Sequence, residues 1–103
     1  MNQKYEITDI VHPQYPWLNR IRALRDVRED VHAGDLGGFV QSEENLSQEG
    51  QCWVANNAVA AEESYISGDA IMWDYSCARG CAVISGKSRI GGEAIIEDHA
   101  IVT

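Results

Sequence analysis

"NAVAAE ESYISG DAIMWD YSCARG CAVISG KSRIGG EAIIED HAIVT", residues 57–103 broken into sixes, carries two aligned columns of side chains. The second column holds Ala58, Ser64, Ala70, Ser76, Ala82, Ser88, Ala94 and Ala100, all of them small. The fourth holds Ala60, Ile66, Met72, Ala78, Ile84, Ile90, Ile96 and Val102, all of them apolar. The fifth and sixth collect turn formers: Ser67-Gly68, Arg79-Gly80, Ser85-Gly86, Gly91-Gly92 and Glu97-Asp98.

Six is no helical period, but it suits a short strand closed by a tight turn. Side chains alternate along a strand, so positions two and four share one face. Each repeat therefore aims one small and one aliphatic residue inward. Small residues fit where flat walls converge at a corner, and Ile, Val or Met fills the middle. The pattern predicts an all-β solenoid of flat walls meeting at corners.

The same residues carry a resemblance. Ile66-Ser-Gly-Asp-Ala70, Ile84-Ser-Gly-Lys-Ser88, Ile90-Gly-Gly-Glu-Ala94 and Ile96-Glu-Asp-His-Ala100 resemble the hexapeptide repeat of left-handed parallel β-helices. Ala60, Met72 and Ala78 stretch the first position of that repeat. In that family three hexads make one triangular coil, and coils stack about 4.8 Å apart. The left hand is implied by the resemblance alone, because parallel crossovers are otherwise right-handed. A closer similarity runs through "RIRALRDV" (20–27), "AGDLGGFV" (33–40), "ENLSQEGQCWV" (44–54) and the hexads that follow. These resemble the YdcK-like hexapeptide proteins of enterobacteria and their prophages, which are generally longer and have no established activity. The resemblance implies one domain over 1–103: capping strands and a first turn over 1–45, then about three β-helix coils over 46–103.

Residues 4–11, "KYEITDIV", read as a strand by their β-branched content, and "HPQYP" (12–16) breaks it. Residues 17–27 fit two patterns. Leu18, Ile21, Leu24 and Val27 make a helical stripe, whereas residues 20–24 alternate as a strand. The relatives use a strand here, so the expectation is a β-hairpin that caps the N-terminal end of the solenoid. In "HAGDLGGF" (32–39) the glycines Gly34, Gly37 and Gly38 lack a following GK[ST] signature and helix, which excludes a Walker loop. Turns needing positive φ are the expectation for them.

The totals set the wider frame. A 103-residue chain buries one modest core. Net charge is −8, from five basic and nine acidic residues in 1–50 and three and seven in 51–103. Diffuse acidity argues against direct binding to nucleic acid or anionic membranes and suits a partner with a basic surface. The sequence shows neither a signal-like apolar run nor a membrane-length one, and its three cysteines have no disulfide-framework spacing. These features predict a cytoplasmic protein.

Many left-handed β-helices are acyltransferases, and the resembling enzymes use a histidine base between subunits. His12, His32 and His99 are available here, and His99 falls on a corner column where a solvated role is expected. Cys77 and Cys81 lie across a turn with no partner pair at zinc-ligand spacing, so neither metal nor cofactor is expected. Cys52 falls in the second column if the frame runs back, as a small core residue. Arg20, Arg22, Arg25 and Arg28 form the only basic run and are expected to make a salt-bridged face.

The third column should face solvent, yet it reads Val59, Tyr65, Ile71, Cys77, Val83, Arg89, Ile95, Ile101. At three hexads per coil these residues stack as ladders, with Trp53 above Ile71 and Trp73 beside it. Contiguous apolar ladders mark interfaces. Val102 adds to the apolar ending, where no charge interrupts the walls and an open edge invites a cover. The candidate interface is therefore Trp53, Val59, Tyr65, Ile71, Trp73, Cys77, Val83, Ile95, Ile101 and Val102, covered by a second copy (a dimer) or a host protein. Three functions follow as expectations. The first is a non-catalytic acidic protein-binding module of prophage type, in its sharpest form a counter-defence (anti-CRISPR-like) inhibitor of a nucleic-acid-binding host protein. The second is a hexapeptide acyltransferase or its remnant, and the third a structural assembly unit.

Overall fold

Every sixth residue from Gly50 to Asp98 has a left-handed backbone, with φ between 56° and 73°. Five of these nine positions are glycine; the others are Asn56, Glu62, Asp74 and Asp98. Asparagine and aspartate tolerate this region better than other side-chain-bearing residues. At Glu62 the strain is offset by its carboxylate, which accepts from the Gly80 N–H one coil below at 2.8 Å. Likewise the Asn56 Oδ1 accepts from the Asp74 N–H at 3.1 Å. The sixth column is thus the corner of every repeat, and it turns the chain from one wall to the next.

The computed structural model describes residues 3–103. Three strands open the chain: β1 (Tyr5–Val11), β2 (Asn19–Ala23) and β3 (Leu36–Val40). Nine two-residue strands follow at six-residue intervals: β4 (Trp53–Val54), β5 (Val59–Ala60), β6 (Tyr65–Ile66), β7 (Ile71–Met72), β8 (Cys77–Ala78), β9 (Val83–Ile84), β10 (Arg89–Ile90), β11 (Ile95–Ile96) and β12 (Ile101–Val102). They stack as three parallel walls: β3-β5-β8-β11, then Leu46 with β6-β9-β12, then β4-β7-β10. Val59 pairs with Cys77 and Cys77 with Ile95, so each wall repeats every eighteen residues. Backbone hydrogen bonds join the coils, as from the Val59 N–H to the Ser76 carbonyl and from Tyr65 to Ala82, both 2.9 Å.

This is the all-β parallel β-helix that the hexads imply. It has about four turns, not three, because β3, Leu46 and β4 make a first turn whose sequence lacks the six-residue spelling. A single short 3₁₀ turn, Glu43–Asn45, interrupts the strands, and no helix among the described residues is long and apolar enough to cross a membrane.

The two inward columns form the core. Ala58, Ser64, Ala70, Ser76 and Ala82 are fully buried, as are Ala60, Ile66, Met72, Ala78 and Ile84. Serine substitutes for alanine in the second column because its hydroxyl donates back to the carbonyl three residues earlier. Ser64 reaches Ala61 at 2.7 Å, Ser76 reaches Trp73 at 2.9 Å and Ser88 reaches Ser85 at 2.7 Å. Cys52 and Trp53 continue the frame upward, since Cys52 is fully buried and Trp53 pairs with Ile71.

The ambiguous segment resolves as a strand. β2 pairs antiparallel with both β1 and β3, burying Ile21 and Ala23. The arginines do more than pair with acids. Arg22 bonds Glu6 across the hairpin, but Arg20 donates to the Gly37 and Asn56 carbonyls at 2.7 and 2.8 Å. Arg28 donates to Gln51 at 2.9 Å, tying the opening segment to the coils. Gly34 has the expected positive φ, at 92°, but Gly37 and Gly38 do not. They are glycine for lack of room: a Cβ on Gly37 would lie 2.6 Å from the Val54 carbonyl oxygen, and one on Gly38 2.4 Å from that of Ala58.

Asn45 closes the irregular first turn. Its Oδ1 accepts from the Gln41 and Ser42 N–H groups at 3.0 and 2.9 Å, and its Nδ2 donates to the Glu62 and Ser64 carbonyls at 3.0 and 2.9 Å. Two outcomes are expected in urea titrations. Asn45→Ala should lower stability by about 2–3 kcal/mol, because it strands buried donors and acceptors. Ala70→Leu should lower it by about 1–3 kcal/mol through overpacking, whereas Lys87→Leu at an exposed corner should stay within about 0.5 kcal/mol.

Candidate functional site: an aromatic groove on the first wall

The outer face of the first wall carries Phe39, Val59, Cys77 and Ile95 in one ladder. The connection from β1 to β2 folds over the top of this ladder. Pro13 and Pro16 keep it out of a sheet, and Leu18 packs on Phe39, Ala61 and Val59. His12 sits edge-on to the Phe39 ring at 4.6 Å and tilts against Tyr15 at 5.0 Å; Tyr15 in turn meets Trp17 at 5.5 Å. The Arg20 guanidinium lies over the far side of this chain of rings, 4.2 Å from the Phe39 centroid.

The overhang stops short of the lower coils. Between it and the wall lies an open groove of about 520 Å³, lined chiefly by Tyr15, Trp17, Val59, Tyr75, Cys77 and Ile95. Trp17, Tyr75 and Ile95 are 56%, 68% and 54% exposed, so large apolar side chains face solvent together. Glu62, Glu93 and Arg79 also border it. Arg79 is engaged by Glu97 at 2.5 Å, which leaves the rim with an acidic bias.

The interface candidates from the third column divide by wall. Val59, Cys77 and Ile95 line this groove. Tyr65, Val83 and Ile101 stack on the second wall, where Tyr65 and Ile101 are exposed and Val83 half-buried, with Val102 half-buried beside them. Trp53 and Ile71 are a correction. The segment between β2 and β3 joins both side chains in one buried cluster through Val27 and Val31, and Trp53 is 1% exposed. Trp73 is half-buried against Gly91 and borders a second cleft, of about 510 Å³, with Asp30, Asp35 and Arg89. Sequence reading missed Tyr15, Trp17 and Tyr75, which lie in a loop and in the first column, outside the aligned ladder. The only signal for Tyr15 and Trp17 is the aromatic density of "HPQYPW" (12–17), and Tyr75 has none.

Several groups were candidates for chemistry. His12 Nδ1 accepts from the Gln14 and Tyr15 N–H groups at 3.0 and 3.3 Å. The neutral ring therefore carries its proton on Nε2 and has no free lone pair to act as a base. Burial, and then the Arg20 charge, push His12 below the usual imidazole range. His99 is exposed, and His32 lies 3.7 Å from Asp26 at the surface. Burial pushes the Cys77 thiol up; a hydrogen bond to Glu63 at 3.2 Å does the same for Cys81. Both thiols are protonated at neutral pH, a poor state for a nucleophile. Among the described residues, no group of three His, Cys, Asp or Glu side chains could hold a metal ion.

No family model matches the chain. Its sequence is 34% identical over 87 residues to the "Uncharacterized acetyltransferase YdcK" of Escherichia coli (strain K12). The chain is a YdcK homologue. The similarity covers 84% of this chain but 21% of the relative, so the chain spans about a fifth of the length of the curated protein it matches. The stacked coils are those of a hexapeptide-repeat β-helix, the architecture that the aligned columns imply.

The His12 geometry sets a pH dependence. The folded chain holds this imidazole below its unfolded pKa, so its contribution is complete above about pH 6.5 and is lost as pH falls through the lower folded value. Urea midpoints measured at about pH 7.5 and about pH 5 should fall with acidification. In His12→Phe, which keeps a ring against Phe39, that fall should shrink; an unchanged fall would assign the effect to other groups.

Proposed function

We propose that this chain is a non-catalytic protein-recognition module that takes an apolar anchor of its partner into the groove on the first wall. The observation that carries the reading is the joint exposure of Trp17, Tyr75 and Ile95 around a cavity of about 520 Å³. Trp and Tyr are the residue types that most often dominate binding energy. The rim and the −8 charge favour a partner whose anchor is flanked by basic residues, which also speeds encounter. In its sharpest form the partner is a host nucleic-acid-binding protein and the chain a prophage-encoded counter-defence inhibitor, cytoplasmic like its target. Self-association through the apolar ladders is the other form of the same reading.

Acyl transfer is the second reading, and the relative's printed name is what favours it. The described coils offer it little support, since the groove's own histidine, His12, has its Nδ1 lone pair engaged by the backbone.

The two readings part in one experiment. Peptides selected from a random display library on the immobilised chain should combine an aromatic or aliphatic anchor with Lys or Arg. Trp17→Ala or Tyr75→Ala should weaken the selected peptides by about 2 kcal/mol, roughly thirtyfold in Kd. Added salt should weaken them further. Selection that is indifferent to both substitutions would overturn the groove as the docking site. A rise in melting temperature with acetyl-coenzyme A would instead favour the acyltransferase.

A further inference from the structure

The chain has two lysines, and one of them is completely buried. Lys4 enters from the start of β1 and closes the top of the first turn. Its Nζ donates to the Cys52 carbonyl at 2.8 Å and to the Glu49 and Gly50 carbonyls at 3.3 and 3.5 Å. No carboxylate lies within ion-pair distance of it among the described residues. Burying an ammonium without a counter-charge is costly and shifts its balance toward the amine. In keeping with this, burial holds Lys4 below the ordinary lysine range.

The Lys4 Nζ also lies 3.1 Å from the Cys52 Sγ. The other polar atoms around that sulfur, the Ser47, Glu49 and Ile66 carbonyl oxygens, stand off at 3.6 to 3.7 Å. Cys52 is itself fully buried, in a column that elsewhere holds Ala or Ser. An amine and a thiol are therefore fixed against one another in a buried pocket ringed by backbone carbonyls, forty-eight residues apart in sequence.

We propose that Lys4 and Cys52 form a modification site at which dioxygen joins the amine to the thiol through one oxygen atom, as an N–O–S bridge. Dioxygen accepts four electrons, two from the lysine nitrogen and two from the cysteine sulfur. One oxygen atom becomes the bridge. The other leaves as water with the thiol proton and one amine proton. Thiols reduce the bridge back to the free pair, as they do other reversible cysteine oxidation products. The bridge fastens β1 to the first turn and constrains the unfolded chain, as a cross-link over a long loop does. It is independent of the groove and of the docking reading.

Intact-mass spectrometry of the full chain tests this in a Cys77→Ser/Cys81→Ser background, where Cys52 is the only thiol. Air-exposed protein should weigh about 14 Da more than the reduced form (one oxygen gained, two hydrogens lost), and dithiothreitol should remove the difference. Tryptic digestion should join the Lys4 and Cys52 peptides. The mass gain should vanish in Cys52→Ala, which suits a column of alanines and keeps the fold, and in Lys4→Met. The proposal is overturned by no mass change in air or dilute peroxide, by oxygen gained without loss of hydrogen, or by a gain that persists in Lys4→Met.

Discussion

Each coil of this protein is held to the next by backbone hydrogen bonds between strands whose paired residues lie eighteen apart, as in the Val59–Cys77–Ile95 ladder. That register constrains nearly everything else. A wall of two paired residues must turn sharply before the next wall begins, which places a left-handed residue at every sixth position. Just past the corner the walls converge, so the second column admits only Ala, Ser or Cys52. The aliphatic fourth column then fills the middle of the tube. Parallel pairing leaves no polar backbone group inside, so a narrow core suffices for a short chain.

With the interior fixed by repetition, individuality is confined to the outside. The opening residues are spent on two overlays, one on the first wall and one on the third. The overlay on the third wall is the tighter one: Val27 and Val31 share a buried cluster with Trp53 and Ile71, and Arg28 pins the segment to coil carbonyls. The overlay on the first wall is partial, leaving Trp17, Tyr75 and Ile95 around an open groove. Chemistry is subdued at the same place. The groove's histidine has its lone pair engaged, and burial keeps Cys77, its thiol, protonated.

The coils were legible because their signal repeats. Eight small residues in the second column and eight apolar ones in the fourth gave the inward face, and that face is where the structure places them through the enclosed turns. The first turn was not, since Leu36–Val54 reaches the same wall geometry through a 3₁₀ turn and the fully bonded Asn45, with no six-residue spelling. Gly37 and Gly38 misled for a related reason. A sequence shows that a side chain is missing, but not whether conformation or crowding removed it. The outward ladders were half legible: the third column faces outward, yet which rungs stay open depends on where non-repeating loops fold. No local pattern encodes that a segment around residue 27 will cover a tryptophan at 53.

The eighteen-residue register can be observed directly by NMR correlations transmitted through hydrogen bonds. Couplings are expected from the Trp53 amide nitrogen to the Ala70 carbonyl, from Val59 to Ser76 and from Tyr65 to Ala82, one on each wall. Couplings between residues four apart, or a different inter-coil spacing, would contradict the parallel β-helix and everything built on its walls.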